Sequence, residues 1–193
     1  MLKQGGQAKV LDSWDEEFIE LARQVDRIRR QVLELATPIL EEQAGELLGH
    51  AVAISYQQGW RAGQELEAAV AAARGRDMHL GSSQVGPHRA ELRIAASDRQ
   101  ARRLVSRGQQ KLLASALILG ASDVVQRAMG RPLLLLMDDP AAELDKDSLG
   151  RIMSGAIGLG TQIIMTSLDP GSIVFPAAPR MFHVEHGCVA QVS

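Results

Sequence analysis

Two short stretches carry the residues able to do chemistry. The first is LLLLMDD, Leu133 to Asp139. An apolar run closed by two acids puts carboxylates at the carboxyl end of a buried strand, where open α/β sheets bind ligands. Oxygen donors of this kind suit a hydrated Mg²⁺ held by one acid, with the second polarising an attacking water. The bland alternative is a pair of acids that begins a loop and caps the next helix. The second stretch is Ser106-Arg107-Gly108-Gln109-Gln110. A serine N-cap followed by glycine in the first turn leaves backbone N–H groups accessible. The amino end of such a helix attracts anions, and Arg107 adds positive charge beside it. Taken alone, this stretch also reads as an ordinary N-cap. Asp138 follows Ser106 by 32 positions, filled by one helix and a break, and the pair is more specific than either part. A phosphate-cradling G-x-x-x-x-G-K-[ST] loop is absent from the sequence. The lysines are Lys3, Lys9, Lys111 and Lys146, and none follows a glycine.

The elements that must position these residues are legible from periodicity. Residues 1–11 show none and read as a loose lead-in. Ser13-x-x-Glu16 has the form of a capping box, which predicts a helix start there. From Trp14 the apolar positions Phe18, Leu21, Val25, Ile28, Val32, Leu35 and Ile39 alternate steps of four and three. That is the spacing of a coiled-coil seam, or of a helix packed on its own domain. Pro38 is expected to kink or split this helix. HAVAISYQ (His50–Gln57) alternates as a half-buried strand does. Gln64–Ala73 reads as a short helix ended by Gly75, Gln84–Ala95 as a strand pair around Gly86-Pro87-His88, and Arg99–Arg103 as a basic connector. A helix over Gln109–Met129 stops at Gly130-Arg131-Pro132. Leu133–Met137, apolar on both sides, predicts a strand buried on both faces. Lys146–Ile157 (helix) and Gln162–Thr166 (strand) complete a βαβ unit. Met181–Glu185 and Cys188–Val192 flank His186-Gly187 as a terminal hairpin, with Cys188 read as packed.

Composition narrows the classes. Hydrophobic residues make up 46% and charged residues 23%, the balance of a globular domain. The formal charge of −2 gives no global attraction to nucleic acid, so such binding must rest on a local patch. One cysteine excludes an intrachain disulfide framework and any CxxC metal site, which fits a cytoplasmic chain. No apolar stretch approaches the roughly 20 residues of a membrane span, and no signal-peptide core opens the chain. With six aromatics, base-stacking platforms are not expected.

Three segments, VGPHRAEL (Val85–Leu92), SRGQQKLL (Ser106–Leu113) and DDPAAELD (Asp138–Asp145), together resemble the RecF family of DNA replication and repair ATPases, ABC-type heads related to SMC and Rad50 proteins. WDEEFIELA (Trp14–Ala22) and SYQQGW (Ser55–Trp60) extend the resemblance over about residues 10–187. It implies an α/β fold: the carboxyl-terminal part of an ABC-type ATPase head, a parallel sheet with helices, plus a helical or coiled-coil lid subdomain. The corresponding division is a lid or arm over 12–80 and a head part over 81–193.

The resemblance also implies roles. Ser106, Arg107, Gly108 and Gln109 would form the signature that contacts the γ-phosphate of ATP bound to the opposite subunit of a head-to-tail homodimer. Asp138 would be the Walker B acid supporting Mg²⁺. Asp139 would take the catalytic-base position, Asp145 would be the D-loop acid, and Ser167 would lie in the switch region. In the family this dimer clamps duplex DNA at single-strand gaps and aids recombinase loading with RecO and RecR. Glu91 and Pro140 depart from the family's usual residues without removing a catalytic group. The larger departure is the missing part that carries the P-loop, which predicts a truncated chain unable to bind ATP alone.

The basic residues Arg89, Arg93, Arg99, Arg102, Arg103, Arg107 and Lys111 lie within 23 positions. They read as a DNA-phosphate face, as a solvated loop, or as arginines directed at ATP. His88, after Pro87 in a turn, reads as structural, and His183 and His186 lack a third partner at metal-ligand spacing. Three other classes compete: a regulatory fragment supplying Ser106 in trans, a purely structural coiled-coil module, and a transporter ATPase, against which SRGQ and the long helical region 12–73 argue.

Overall fold

The computed structural model of the chain describes residues 6–96, 99–100, 106–142, 144–169, 171, 173–175 and 177–192. They form two compact units, Met1–Arg131 and Pro132–Ser193. The division falls at the Gly130-Arg131-Pro132 break. The helix that follows Ser106 therefore belongs with the long amino-terminal helix, whereas the sequence reading divides the chain at 80/81.

The first unit is built on α1 (Gly6–Leu48). It starts before Ser13 and runs through Pro38 as one helix, so neither the expected start nor the expected split is observed. Packing explains the continuity: Ala36, Leu40, Ala44 and Leu47, on both sides of the proline, are all buried, and buried contacts offset the one backbone hydrogen bond that proline removes. Gly49, at φ 76°, closes the helix, and its N–H reaches the Gly45 carbonyl at 2.9 Å.

Most of the seam does not face this core. Trp14, Leu21, Val25, Ile28, Val32 and Leu35 are exposed, Leu35 by 71%. A neighbouring stripe does the packing. Ala22, with Phe18 and Ile19 beside it, meets Leu66, Ala69, Val70 and Ala73 of α2 (Leu66–Leu80) and Val85. α2 also runs through Gly75, because an interior glycine costs only about 1 kcal/mol against alanine; it ends at Gly81, φ 67°. Arg74 pairs with Asp15, and Arg23 reaches Glu67 at 2.5 Å across the same junction.

β1 (Val52–Gln57) and β2 (Glu91–Ala96) pair antiparallel from Val52↔Ala96 to Gln57↔Glu91. β3 (Arg99–Gln100) extends the order to β1-β2-β3 and replaces part of the expected connector. At β1 the Ile54 N–H donates to Glu41 Oε1 at 2.7 Å, so a carboxylate from α1 satisfies a strand-edge donor. α3 (Arg107–Met129) lies against α1. An added Cβ at Gly120 would stand 3.0 Å from Leu40 Cδ2 and 3.3 Å from Leu40 Cα, so glycine lets the two helices cross closely there. By length and composition alone α3 could cross a bilayer, contrary to the sequence expectation. It instead buries Leu112, Leu113, Ala116 and Leu119, the apolar face of a helix packed within a domain.

The second unit contains β4 (Leu134–Met137), α4 (Lys146–Gly158) and β5 (Gln162–Met165). β4 and β5 pair parallel, Leu134↔Gln162 through Met137↔Met165, as the βαβ reading requires. α4 covers one face, where Leu149 and Met153 meet Met137 and Met165. The other face is open among the described residues: Leu134 is 52% and Leu136 69% exposed. The expectation of burial on both faces is thus corrected. β6 (Met181–Glu185) and β7 (Cys188–Val192) form the hairpin. His186 and Gly187, at φ 48° and 77°, supply the two left-handed residues of its turn. Cys188 is exposed rather than packed, since both strands are exposed throughout.

Candidate functional site

The acids stand where the carboxyl end of β4 meets that of β5. The parallel register ends at Met137↔Met165, and the Thr166 N–H adds one more rung to the Met137 carbonyl at 2.9 Å. The next residues are therefore Asp138 on one strand and Thr166 on the other. Thr166 Oγ1 donates to Asp138 Oδ1 at 2.5 Å and accepts from the Asp139 N–H at 3.0 Å. Asp139 itself has φ 38°, a left-handed backbone that non-glycine residues seldom adopt. Its carbonyl then accepts from the Ala142 N–H at 3.1 Å, starting the turn that leads to α4. Asp138 is exposed, Asp139 half-buried and Pro140 buried.

Asp145 is the N-cap of α4. Oδ1 accepts from the Ser148 N–H at 2.7 Å and Oδ2 from the Ser148 hydroxyl at 2.9 Å. These two donors favour the charged form and hold the carboxyl below its ordinary value. Ser167 Oγ accepts from the Asp169 N–H at 3.2 Å, which turns the chain just after β5.

In the first unit, Ser106 caps α3, its Oγ accepting from the Gln109 N–H at 3.3 Å. Arg107 and Gln109 are exposed, while Gly108 and Lys111 are half-buried in the opening turns. Arg89 lies on the 3₁₀ turn Pro87–Arg89, and its Nε and Nη2 donate to the Ser83 carbonyl at 3.1 and 3.0 Å. His88 Nε2 sits 2.9 Å from the same carbonyl oxygen, and its ring meets Phe18 edge-on, in keeping with a structural role. Arg93 lies on β2, 3.9 Å from Glu91. Arg102 and Arg103 lie outside the described residues.

The structure thus gathers Asp138, Asp139 and Ser167 at one strand end, and Ser106 to Gln109 at one helix end. It ties Arg89 to a turn rather than leaving it on an open face. Sequence reasoning missed Thr166. The signal was available: in parallel register, the first polar residue after QIIM must stand beside the first acid after LLLM. It also missed Asp26 on α1, which takes a hydrogen bond from Tyr56 at 2.9 Å and an ion pair from Arg30 at 2.7 Å. Among the described residues no three metal-ligating groups converge. One or two carboxylates fit Mg²⁺, which keeps most of its water or phosphate ligands, and do not fit a dedicated protein-only metal cage.

Three curated relatives, each a DNA replication and repair protein RecF, align over nearly the whole chain. The protein of Cellvibrio japonicus is 33% identical over 187 residues, 93% of this chain. That of Marinomonas sp. is 36% identical over 192 residues, and that of Shewanella oneidensis 31% over 196. Over nearly its whole length the chain is similar to RecF proteins. It spans about half the length of these relatives, 51%, 51% and 54% respectively. No protein-family model matches it.

Solved structures carry the same fold. The recombination mediator protein RecF bound to ATP, in the RecFOR pathway, superposes with a TM-score of 0.78 at 21% identity, covering 99% of this chain and 52% of that one. An SMC head bound to the C-terminal winged-helix domain of ScpA gives 0.52 at 17% identity over 83% of this chain and 42% of that one. The fold is accordingly an α/β part of an ABC-type ATPase head.

Proposed function

We propose that this chain provides two walls of an ABC-type ATP site in a RecF-like protein of DNA replication and recombinational repair. The observation that carries the reading is the placement of Asp138 and Asp139 at the carboxyl end of β4, beside β5. Asp138 would support Mg²⁺, which neutralises phosphate charge when bound, and Asp139 would orient the attacking water as general base. Ser106, Arg107, Gly108 and Gln109 would meet the γ-phosphate held by the opposite subunit of a head-to-tail homodimer, Asp145 would lie at that interface, and Ser167 would belong to the switch. Pairing of Asp145 with its own helix amino end is compatible with an interface role, since capping fixes the carboxylate in place.

The ATP-dependent dimer would bind duplex DNA at single-strand gaps and act with RecO- and RecR-like proteins in the cytoplasm. Arg93, Arg107 and Lys111 supply charge for phosphate contacts, with Arg89, Arg102 and Arg103 in the same sequence cluster. Ser106 would be contributed in trans, to ATP held by an intact subunit. The test titrates the chain into an intact RecF-like protein while ATP turnover is followed. A change in turnover that Ser106→Arg abolishes is expected. No change, or the same change with the Arg variant, overturns the trans role.

A second reading, a structural dimerisation module, is favoured by the exposed heptad stripe from Trp14 to Leu35. It requires self-association without nucleotide. A monomeric mass by light scattering in the absence of ATP rejects it.

A further inference from the structure

We propose that Thr166 is a positioning residue for the acid pair: its hydroxyl fixes the Asp138 carboxylate and the left-handed backbone of Asp139 at once. The inference rests on reading the two acids as part of the nucleotide site. Two acids in a continuing strand would project to opposite faces, because side chains alternate along a strand. The backbone at Asp139, φ 38°, interrupts that alternation two residues after the last paired residue. Such a conformation persists only where its surroundings over-determine it. Here the restraints are the hydrogen bond from the Asp139 N–H to Thr166 Oγ1 at 3.0 Å and the turn bond from the Ala142 N–H at 3.1 Å.

A hydroxyl has one hydrogen and two lone pairs. Thr166 uses the hydrogen on Asp138 Oδ1 at 2.5 Å and a lone pair on the Asp139 N–H. One side chain therefore couples the conformation of the second acid to the orientation of the first. Serine can make both bonds; valine, nearly the same shape, can make neither. The neighbouring Ser167 does different work, since its hydroxyl serves the Asp169 N–H.

The experiment uses the full chain, isotopically labelled, with Thr166→Val and Thr166→Ser. The first readout is amide exchange of Asp139 with its three-bond H–N–Cα–H coupling, which reports φ. The second is line broadening of amides 137–139, 141 and 142 by added Mn²⁺ alone. Expected are loss of Asp139 protection and an altered coupling in the Val variant, weaker Mn²⁺ broadening in that variant, and wild-type behaviour on both counts in the Ser variant. Unchanged exchange and coupling in the Val variant, or loss of both in the Ser variant, overturns the proposal. Altered backbone with wild-type Mn²⁺ broadening makes the hydroxyl structural only, and also overturns it. Absence of broadening in the wild type itself sinks the acid-site reading instead, a separate failure. Thr166 is exposed at a strand end, and Thr166→Ala repeats the comparison should the Val variant not fold.

Discussion

Gly59 and Gly86 meet back to back: the Gly86 N–H donates to the Gly59 carbonyl at 3.4 Å, and a Cβ built on Gly59 would lie 2.2 Å from the Gly86 carbonyl oxygen. The contact locks SYQQGW to VGPHRAEL, two of the segments on which the family resemblance stands. Arg29 Nη1 from α1 adds a hydrogen bond to the Pro87 carbonyl at 2.6 Å, pinning the same turn to the long helix.

Gly59→Ala is therefore expected to be among the most damaging single changes in the first unit. Its φ of 86° is strained for alanine, and the clashing atoms are backbone, including Ala90 N at 2.8 Å. Strain of about 1–3 kcal/mol and overpacking of similar size give a loss of about 2–6 kcal/mol. Urea unfolding followed by circular dichroism measures it. A loss under about 1 kcal/mol would show that the two turns can move apart.

The long helix offers a sharper contrast between two leucines. Leu40 is buried and touches Gly120, while Leu35 stands 71% exposed in the heptad stripe. Leu40→Ala should cost about 2–5 kcal/mol, and Leu35→Gln should stay within about 0.5 kcal/mol of wild type in dilute solution. Equal losses would mean that the stripe is covered in the folded protein.

This helix also shows what the sequence could and could not tell. Periodicity located α3, α4, β5 and both strands of the hairpin within a residue or two, because those elements form by local pattern and by clear breakers such as Gly130-Arg131-Pro132. It found the 3-4 stripe of α1 but not the neighbouring stripe that is buried. The 3-4 spacing of Trp14 to Ile39 is the stronger pattern, yet the small residues Ala22, Ala36 and Ala44 let α2, β1 and α3 approach closely, and small residues carry little hydrophobic signal. Breakers were over-read at Pro38 and Gly75, since tertiary packing outweighs a local penalty of that size. At the candidate site the acids and the serine cap were legible as residue types. Thr166 becomes legible only when β4 and β5 are set in register, since the two strands lie far apart in sequence.

Asp145 gives a prediction in pH. The Ser148 N–H and hydroxyl lower its folded-state pKa below the ordinary value, so the unfolded chain takes up the proton first as pH falls. The stabilisation is then complete above the unfolded value of about 4 and is lost as pH drops through the folded value. Asp145→Asn should lower the thermal midpoint at pH 7, and the gap from wild type should close below about pH 4. Calorimetric scans across pH 7 to 3 measure this; a gap that widens in acid would reverse the assigned sign.

The proposed role of Ser106 supplies the last test. Ser106 Oγ caps α3 through the Gln109 N–H, so any variant there changes both the helix end and the surface proposed to face phosphate. Ser106→Asp separates the two. Aspartate caps a helix amino end at least as well as serine, and its charge favours the dipole there, so the thermal midpoint should hold or rise. The same charge opposes a γ-phosphate, so any effect of the chain on ATP turnover by an intact RecF-like protein should disappear. Stability retained with the turnover effect lost is the signature of an anion-contacting serine. Stability and turnover effect both retained would reduce Ser106 to an ordinary cap and remove the first unit from the nucleotide site.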